Sequence, residues 1–333
     1  MARAKNLGRF LLWRSIRAFT LLAGISIISF LLVKNSPIDP IQAYIGADML
    51  NVGPEQREKI AQHWGLDDPV FKQYVNWASS LLGGDLGTSM IYREPVAEVI
   101  KEKFSHSIVL MLTAWVLSGV IGFTMGVVAA MNKDTAIDRI IKWYCYTLAS
   151  TPAFWMGLLM VMVFAVWLGW FPVGLGVPAG ILSDDVTFID KVKHLVLPAI
   201  TLSIVGVANI ALHTRQKMID VLASDYILFA RARGERGFIL FWRHGLRNVA
   251  LPAISLQFAA FSELFGGAVL TEQVFSYPGL GQATVEAGLR GDVPLLLGLV
   301  LFSALFVFTG NLIADLIYYV VDPRTREGRT YES

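Results

Sequence analysis

Six stretches of the chain are apolar for long enough to cross a bilayer, and the charged residues fall almost entirely between them. A helix crossing about 30 Å of hydrocarbon needs roughly 20 largely apolar residues. Ala18–Val33 is uncharged and follows amphipathic turns, so a first span is expected over about residues 10–33, with Arg14 and Arg17 reaching toward the head groups. His106–Met131 predicts a second span. Trp143–Trp170 predicts a third, with Pro152 inside it as a kink whose freed carbonyl neighbouring helices can satisfy. Leu195–Leu212, Val249–Leu270 and Leu295–Val321 predict the fourth, fifth and sixth.

Between the first two spans, residues 34–105 form the longest connection. Pro54 is placed to start a short helix through His63 that Gly65 ends, and Pro69 to start another. Over Pro69–Leu82, Val70, Phe71, Tyr74, Val75, Ala78, Leu81 and Leu82 recur at helical spacing, so this helix is expected to lie on the membrane or on the rest of the protein. Gly83–Gly87 breaks the pattern, and Pro95–Phe104 leads into the second span.

Composition agrees with a bilayer as solvent. Apolar residues make up 55% of the 333, charged residues only 16%, and mean hydropathy is +0.55, which excludes an ordinary soluble domain. The net charge of +2 matters only through its distribution. The N-terminal stretch through Arg17 holds five basic residues, three lie in 132–142, seven in 213–248 and three beyond Asp322; residues 169–194 hold two and 271–294 one. The seven in 34–105 carry little weight, because long connections translocate regardless of charge. The positive-inside rule therefore puts both termini in the cytoplasm. The basic N-terminus resembles a signal peptide, but no small-residue cleavage site follows, so it is read as an uncleaved first helix. Cys145 stands alone, so no disulfide framework or Cys/His metal cluster can be built.

The cytoplasmic connection 213–248 is too patterned for a linker. It lacks proline and has helical apolar spacing on both sides of Gly234, with Ile219, Val221, Leu222, Ile227, Leu228 and Phe229 before it and Phe238–Phe241 after. Such apolar residues need a partner, either the protein's own helices or a cytoplasmic protein that receives a knob formed around Gly234.

These residues resemble the permease subunits of binding-protein-dependent ABC importers, specifically the dipeptide/oligopeptide/nickel family. That superfamily's loop motif reads Glu-Ala-Ala, three residues, Gly, and later an aliphatic residue before Leu-Pro. Ala230, Gly234, Val249 and Leu251-Pro252 match it, while Leu228 and Phe229 replace the Glu and first Ala. The peptide/nickel branch is similar to Asp-Tyr-x-x-x-Ala-Arg-Ala-Lys/Arg-Gly, reproduced by Asp225, Tyr226 and Ala230–Gly234 and continued by Arg243-His244 and Leu246-Arg247-Asn248. Further likeness lies in Gly65-Leu66-Asp67, Pro69, Gln73-Tyr74 and Trp77, in Gly84–Ser89, in Glu272 with Val274–Gly281, in Asp292-Val293-Pro294, and in Asp315 with Asp322-Pro323-Arg324.

The resemblance implies an all-α integral membrane protein of six transmembrane helices, like a type I ABC importer permease. Its parts would be a cytoplasmic N-terminus and first helix (1–33), an external helical loop (34–105), a permease core (106–322) with its coupling-helix loop (213–248), and a cytoplasmic tail (323–333). It implies a second homologous permease, two nucleotide-binding ATPase subunits and an external solute-binding protein as partners, in the cytoplasmic (inner) membrane and without nucleic acid. The chain has no Gly-x-x-x-x-Gly-Lys-Ser/Thr phosphate loop, so it is not expected to be an enzyme or to hold a cofactor; ATP and magnesium belong on the partners. Coupling to the ATPase is expected of Asp225, Tyr226, Ala230, Arg231, Ala232, Arg233, Gly234 and Arg236. Gly234 would allow close approach to a groove, Ala230 and Ala232 would keep the surface low, and the arginines would supply charge-assisted contacts.

The pathway is fainter. Glu263 lies inside the fifth span, where an ionised side chain is costly unless it meets water or a partner. It either pairs within the bundle or faces the pathway, suited to a peptide amino terminus or a metal chelate. Gln257, Ser255 and Ser262 are candidates for the same side, although Gln257 and Glu263 share a helical face only roughly. Asn311 and Asp315, one turn apart, are expected to share a hydrogen-bonded site, and Gly266-Gly267 to permit close helix packing. His63, His194 and His213 show no metal spacing, and Met111, Met125, Met156, Met160 and Met162 read as packing or lining. Di- or oligopeptide import is the leading expectation, with a nickel or nickel-chelate importer of the same family as the alternative. A secondary transporter would be expected to show broken half-helices and more spans.

Overall fold

The computed structural model describes residues 2–35, 53, 55, 56, 58, 59, 68–180 and 185–321, without the side chains of 2–11, 238 and 317–321. The short helix expected from Pro54 to His63 falls largely outside the described residues, as do Gly65-Leu66-Asp67 and everything from Asp322 onward. All regular structure among the described residues is helical, apart from one isolated bridge between Thr88 and Pro95.

The apolar runs become long helices: α1 (Ala2–Lys34), α3 (Val96–Met131), α6 (Phe188–Leu222) and α11 (Val293–Val321), with α2 (Val70–Leu82) preceding α3. Each of the four long ones contains a stretch apolar and long enough to cross a membrane. Two further candidates are bent pairs. One joins α4 (Ala136–Ala149) to α5 (Ala153–Met160), which continues as π-helix over Val161–Trp167, and the other joins α8 (Leu246–Ala259) to α9 (Phe261–Val274). Between them lies α7 (Asp225–Ala232), and α10 (Leu280–Arg290) precedes α11.

The expected third span differs from its sequence reading. Pro152 sits at the N-cap of α5, outside any helix, and the chain turns through 106° between α4 and the Ala153–Trp167 segment. Proline disfavours helical geometry at the residue before it and is well suited to opening a new helix, so the chain breaks here instead of kinking. Within α6, by contrast, Pro198 is accommodated without interruption. That helix opens on a capping box, in which Thr187 Oγ1 accepts from the Asp190 N–H at 3.2 Å and the Asp190 carboxylate accepts from the Thr187 N–H.

Two compact units are distinguished, one from residues 1–105 and 279–309, the other from 106–278 and 310–333. In the first, α2 docks on α1 through Tyr74 and Trp77, whose rings lie 5.4 and 5.6 Å from that of Phe30, while Tyr74 and Ser26 share a 2.8 Å hydrogen bond. Phe71 and Leu82 stay exposed. The Gly83–Gly87 break uses left-handed backbone at Gly84 and Gly87.

The second unit is organised by close approach of α3 to α6. A Cβ on Gly126 would lie 2.6 Å from the Ala211 carbonyl oxygen, one on Gly122 2.9 Å from Val207 O, and one on Gly206 2.8 Å from Ser118 Cβ. Gly122 and Gly126 are one turn apart, the small-xxx-small spacing that lets membrane helices touch backbone to backbone. The close packing expected of Gly266-Gly267 is found at Gly267 alone: Gly266 faces open space, whereas a Cβ on Gly267 would press on the tip of Leu202 at 3.0 Å.

Candidate functional site

The 213–248 segment starts as a continuation of α6, which runs on past the apolar run to Leu222. Ser224 stands at the N-cap of α7, its hydroxyl turned back to the Val221 carbonyl, and Asp225 lies in the first turn, where a carboxylate suits the helix dipole. The helix ends at Gly234, whose N–H reaches the Arg231 carbonyl at 2.9 Å and whose φ is +90°. That left-handed backbone is what demands glycine here; a Cβ would meet nothing within 4 Å. Within this chain, Gly234 reverses the backbone. A second left-handed glycine, Gly237 at φ +58°, opens the turn that leads through a π-helical stretch at Phe241–Gly245 into α8.

Helix α7 has two faces. Ile227 and Ala230 are buried in a cluster with Met218 and Val221 of α6, Val127 and Ala130 of α3, and Leu240, Phe241 and Val249. Ala230 was expected on the outward surface. It points inward, because it shares a face with Ile227, three residues earlier. The opposite side carries Tyr226, Leu228 and Phe229, the last 73% exposed, and Ile239 and Trp242 beyond the glycines are exposed too. Arg231, Ala232, Arg233 and Arg236 are exposed, with Arg231 and Arg236 bordering a hollow of about 430 Å³ floored by Met131, Met218 and Leu240.

The loop is knit by its own polar residues. His244 Nε2 lies 2.9 Å from Glu235 Oε2, Arg233 approaches the same carboxylate at 3.6 Å, and Asn248 Nδ2 donates to Tyr226 Oη at 3.0 Å. The α6 extension is tied to α4 as well. Arg215 grips the fully buried Asp138 in a two-pronged ion pair at 2.6 and 2.7 Å, while Lys142 Nζ at 3.2 Å and the Asp134 N–H at 3.1 Å complete the carboxylate's shell. Nothing local in the sequence marks this pair, whose members are far apart along the chain.

The candidate pathway residues separate. Gln257 and Glu263 line one cleft of about 360 Å³, together with Trp115, Ser118, Asn209 and His213. They converge because the helix bends by 51° at Ala260, between α8 and α9, which overrides the straight-helix spacing. Gln257 is buried, and its amide nitrogen donates to the Trp115 carbonyl and, at 3.1 Å, to Ser118 Oγ. Trp115 Nε1 returns a 3.0 Å bond to the Gln257 carbonyl. Ser262, in contrast, does not line the cleft. It donates to Asn311 Oδ1 on α11, because it sits on the other side of α9. Ser255 bonds the Leu251 carbonyl of its own helix at 3.1 Å.

Two buried carboxylates had stood out only as parts of motifs. Glu272 accepts a 2.6 Å bond from Ser107 Oγ, and the Tyr277 phenol nearby is pushed up to about 12, first by burial and then by the Glu272 charge. Asp292 binds the Ser89 loop within the first unit.

Comparison with known proteins gives this arrangement a context. Residues 122–327 match the family described as binding-protein-dependent transport system inner membrane component, and residues 7–111 match the N-terminal part described for the same membrane components. The oligopeptide transport system permease protein AppB of Bacillus subtilis is 36% identical, with 95% of this chain and 98% of the relative covered. The di/tripeptide transport system permease protein DppB of Pseudomonas aeruginosa is 33% identical over 92% of this chain and 95% of its own length. The dipeptide transport system permease protein DppB of Escherichia coli K12 is also 33% identical, over 91% and 94%. With its long apolar helices and a match that spans nearly its whole length, the chain belongs to the binding-protein-dependent transport system inner membrane components, the multi-pass permease subunits of ABC importers.

Proposed function

We propose that this chain forms half of the membrane pathway of an ATP-driven importer of di- and oligopeptides. Near full-length similarity to permeases named for oligopeptides, di/tripeptides and dipeptides carries the reading, and no observation favours the nickel-chelate alternative. In this reading each bent pair counts as one span, which makes six, with both termini in the cytoplasm and residues 34–105 outside, and the skewed distribution of basic residues supports that orientation. A second permease, two ATPase subunits and an external solute-binding protein complete the machine, and ATP with magnesium is held by the ATPases.

In this reading α7 is the coupling helix. Its buried face ties it to α3, α6 and α8, and Tyr226, Leu228 and Phe229 offer apolar surface to a groove on the ATPase, with Arg231, Arg233 and Arg236 around them. Asp225 stabilises the helix start, Ala230 anchors it from within, Ala232 keeps the outer surface low and Gly234 turns the chain away. Closure of the ATPases on nucleotide would carry the helix as a rigid lever and rock the spans. Gln257 and Glu263 line the pathway that this motion exposes.

The test is ATP-driven dipeptide uptake by the whole complex in proteoliposomes. Phe229→Asp is expected to abolish uptake and release the ATPase subunits without altering thermal unfolding of the permease, because the ring is exposed in the chain alone. Gly234→Arg is expected to abolish uptake while leaving membrane insertion intact. Normal uptake by both variants would refute the docking role.

A further inference from the structure

The cleft between α3, α6 and the α8–α9 bend has one-sided chemistry. Of the described residues that line it, none is lysine or arginine, and Glu263 is the one carboxylate. Gln257 adds a second acceptor whose orientation is forced. Its NH₂ group must face the Trp115 carbonyl, since an oxygen placed there would meet another oxygen. The amide oxygen is thereby left buried and, among the described residues, without a hydrogen-bond partner. A side chain 7% exposed that lacks one partner is uncommon in a folded protein and calls for a donor. Gly119 preserves this arrangement, for a Cβ there would press on the Gln257 amide at 3.3 Å. Trp115, held by its own bond to the Gln257 carbonyl, contributes an indole to the same lining.

A carboxylate, a donor-seeking amide oxygen and an indole together suit an ammonium group, which carries three donors, a positive charge and affinity for aromatic faces. We infer that this cleft is a subsite for the free α-amino end of the peptide as it passes through the membrane. The proposal rests on the peptide-importer reading and adds which end of the substrate the permease recognises. Glu263 supplies the counter-charge and Trp115 covers the group, while Gln257 Oε1, sealed behind the lining as the chain stands, accepts an N–H once the cleft opens around the amino end. Asn209 and His213, on the α6 wall, are placed to meet the first peptide unit. A cleft of about 360 Å³ accommodates an amino end and its first side chain, not a whole oligopeptide, in keeping with a site that grips one end while length varies at the other.

The experiment measures binding to the permease–ATPase complex in nanodiscs without the solute-binding protein, by saturation-transfer NMR. The probes are alanyl-alanine and N-acetyl-alanyl-alanine, which differ in the ammonium. Wild type is expected to bind the free peptide about tenfold more tightly than the acetylated one, the scale of one charge-assisted contact. Glu263→Gln, nearly the same shape, is expected to erase that preference, and Glu263→Asp to keep it. Equal binding of both peptides by wild type, no binding of either, or an unchanged preference in Glu263→Gln would overturn the subsite. Uptake of alanyl-alanine by the complete importer separates the two levels. ATP-driven uptake without amino-end preference sinks the subsite alone, whereas absence of uptake sinks the peptide-importer reading.

Discussion

Ser89 donates a 2.6 Å hydrogen bond to Asp292, joining two motifs 203 residues apart in the sequence. Asp292 is fully buried, and its carboxylate also accepts from the Ile91 N–H at 3.0 Å and the Leu295 N–H at 3.1 Å, so one side chain closes the Ser89 turn and caps α11. Replacing it with alanine strands three donors. Each buried donor left unmet costs about 1–3 kcal/mol, so Asp292→Ala should lose about 3 kcal/mol or more and Ser89→Ala about 1–2. Thermal unfolding in detergent reads both. Equal losses in the two variants would show that the main-chain bonds contribute nothing.

The glycines give predictions of opposite sign. Gly126→Ala drives a methyl against the Ala211 backbone and should cost about 1–3 kcal/mol, since backbone cannot swing aside. Gly266→Ala adds a methyl in open space within α9 and should be neutral or stabilising by up to about 1 kcal/mol. Melting temperatures of the two single variants decide the matter.

Breaking the Asp138–Arg215 pair leaves a buried charge unmatched. Arg215→Met should therefore destabilise by about 3 kcal/mol, while the double change Asp138→Leu with Arg215→Met should recover much of the loss. In uptake assays, Arg215→Met should also lower transport per ATP hydrolysed if α7 couples as proposed, because the pair ties α4 to the extension that leads into α7. A double variant as unstable as the single one would exclude an electrostatic origin.

Tyr92 offers a pH test outside the membrane. Its phenol donates to Glu286 Oε2 at 3.2 Å, and burial, the Glu286 charge and that bond push it up to about 12 from 10.0. A folded-state value raised above the unfolded one means that the stabilisation is complete below pH about 10 and disappears as pH rises through about 12. Difference absorbance titration of wild type against Tyr92→Phe should show one phenol that ionises late. A phenol ionising near pH 10 would contradict the Glu286 contact.

Much of this was legible in the sequence because apolar length and punctuation carry local information. The long helices, the break at Gly83–Gly87 and the interruption of the 213–248 segment at Gly234 all follow from residues near them. What escaped depends on partners remote in sequence or on backbone angles. The 106° turn at Pro152 reads as a kink until the helix is seen to stop, and the bend at Ala260 alone makes neighbours of Gln257 and Glu263. The inward turn of Ala230 was available from its spacing to Ile227, but the motif drew attention outward. Gly122 and Gly126 carried a visible signal, overshadowed by the more conspicuous Gly266-Gly267 pair.

Ile227 is wholly inaccessible while Phe229, two residues on, is largely bare. Force applied at the bare ring would pass through Ile227 to Met218 of α6 and Val249 of α8, the helices on either side of the segment. In the proposed machine, a handle packed against both arms would swing them together, so that the stroke of an ATPase gripping it would reach two walls of the pathway at once.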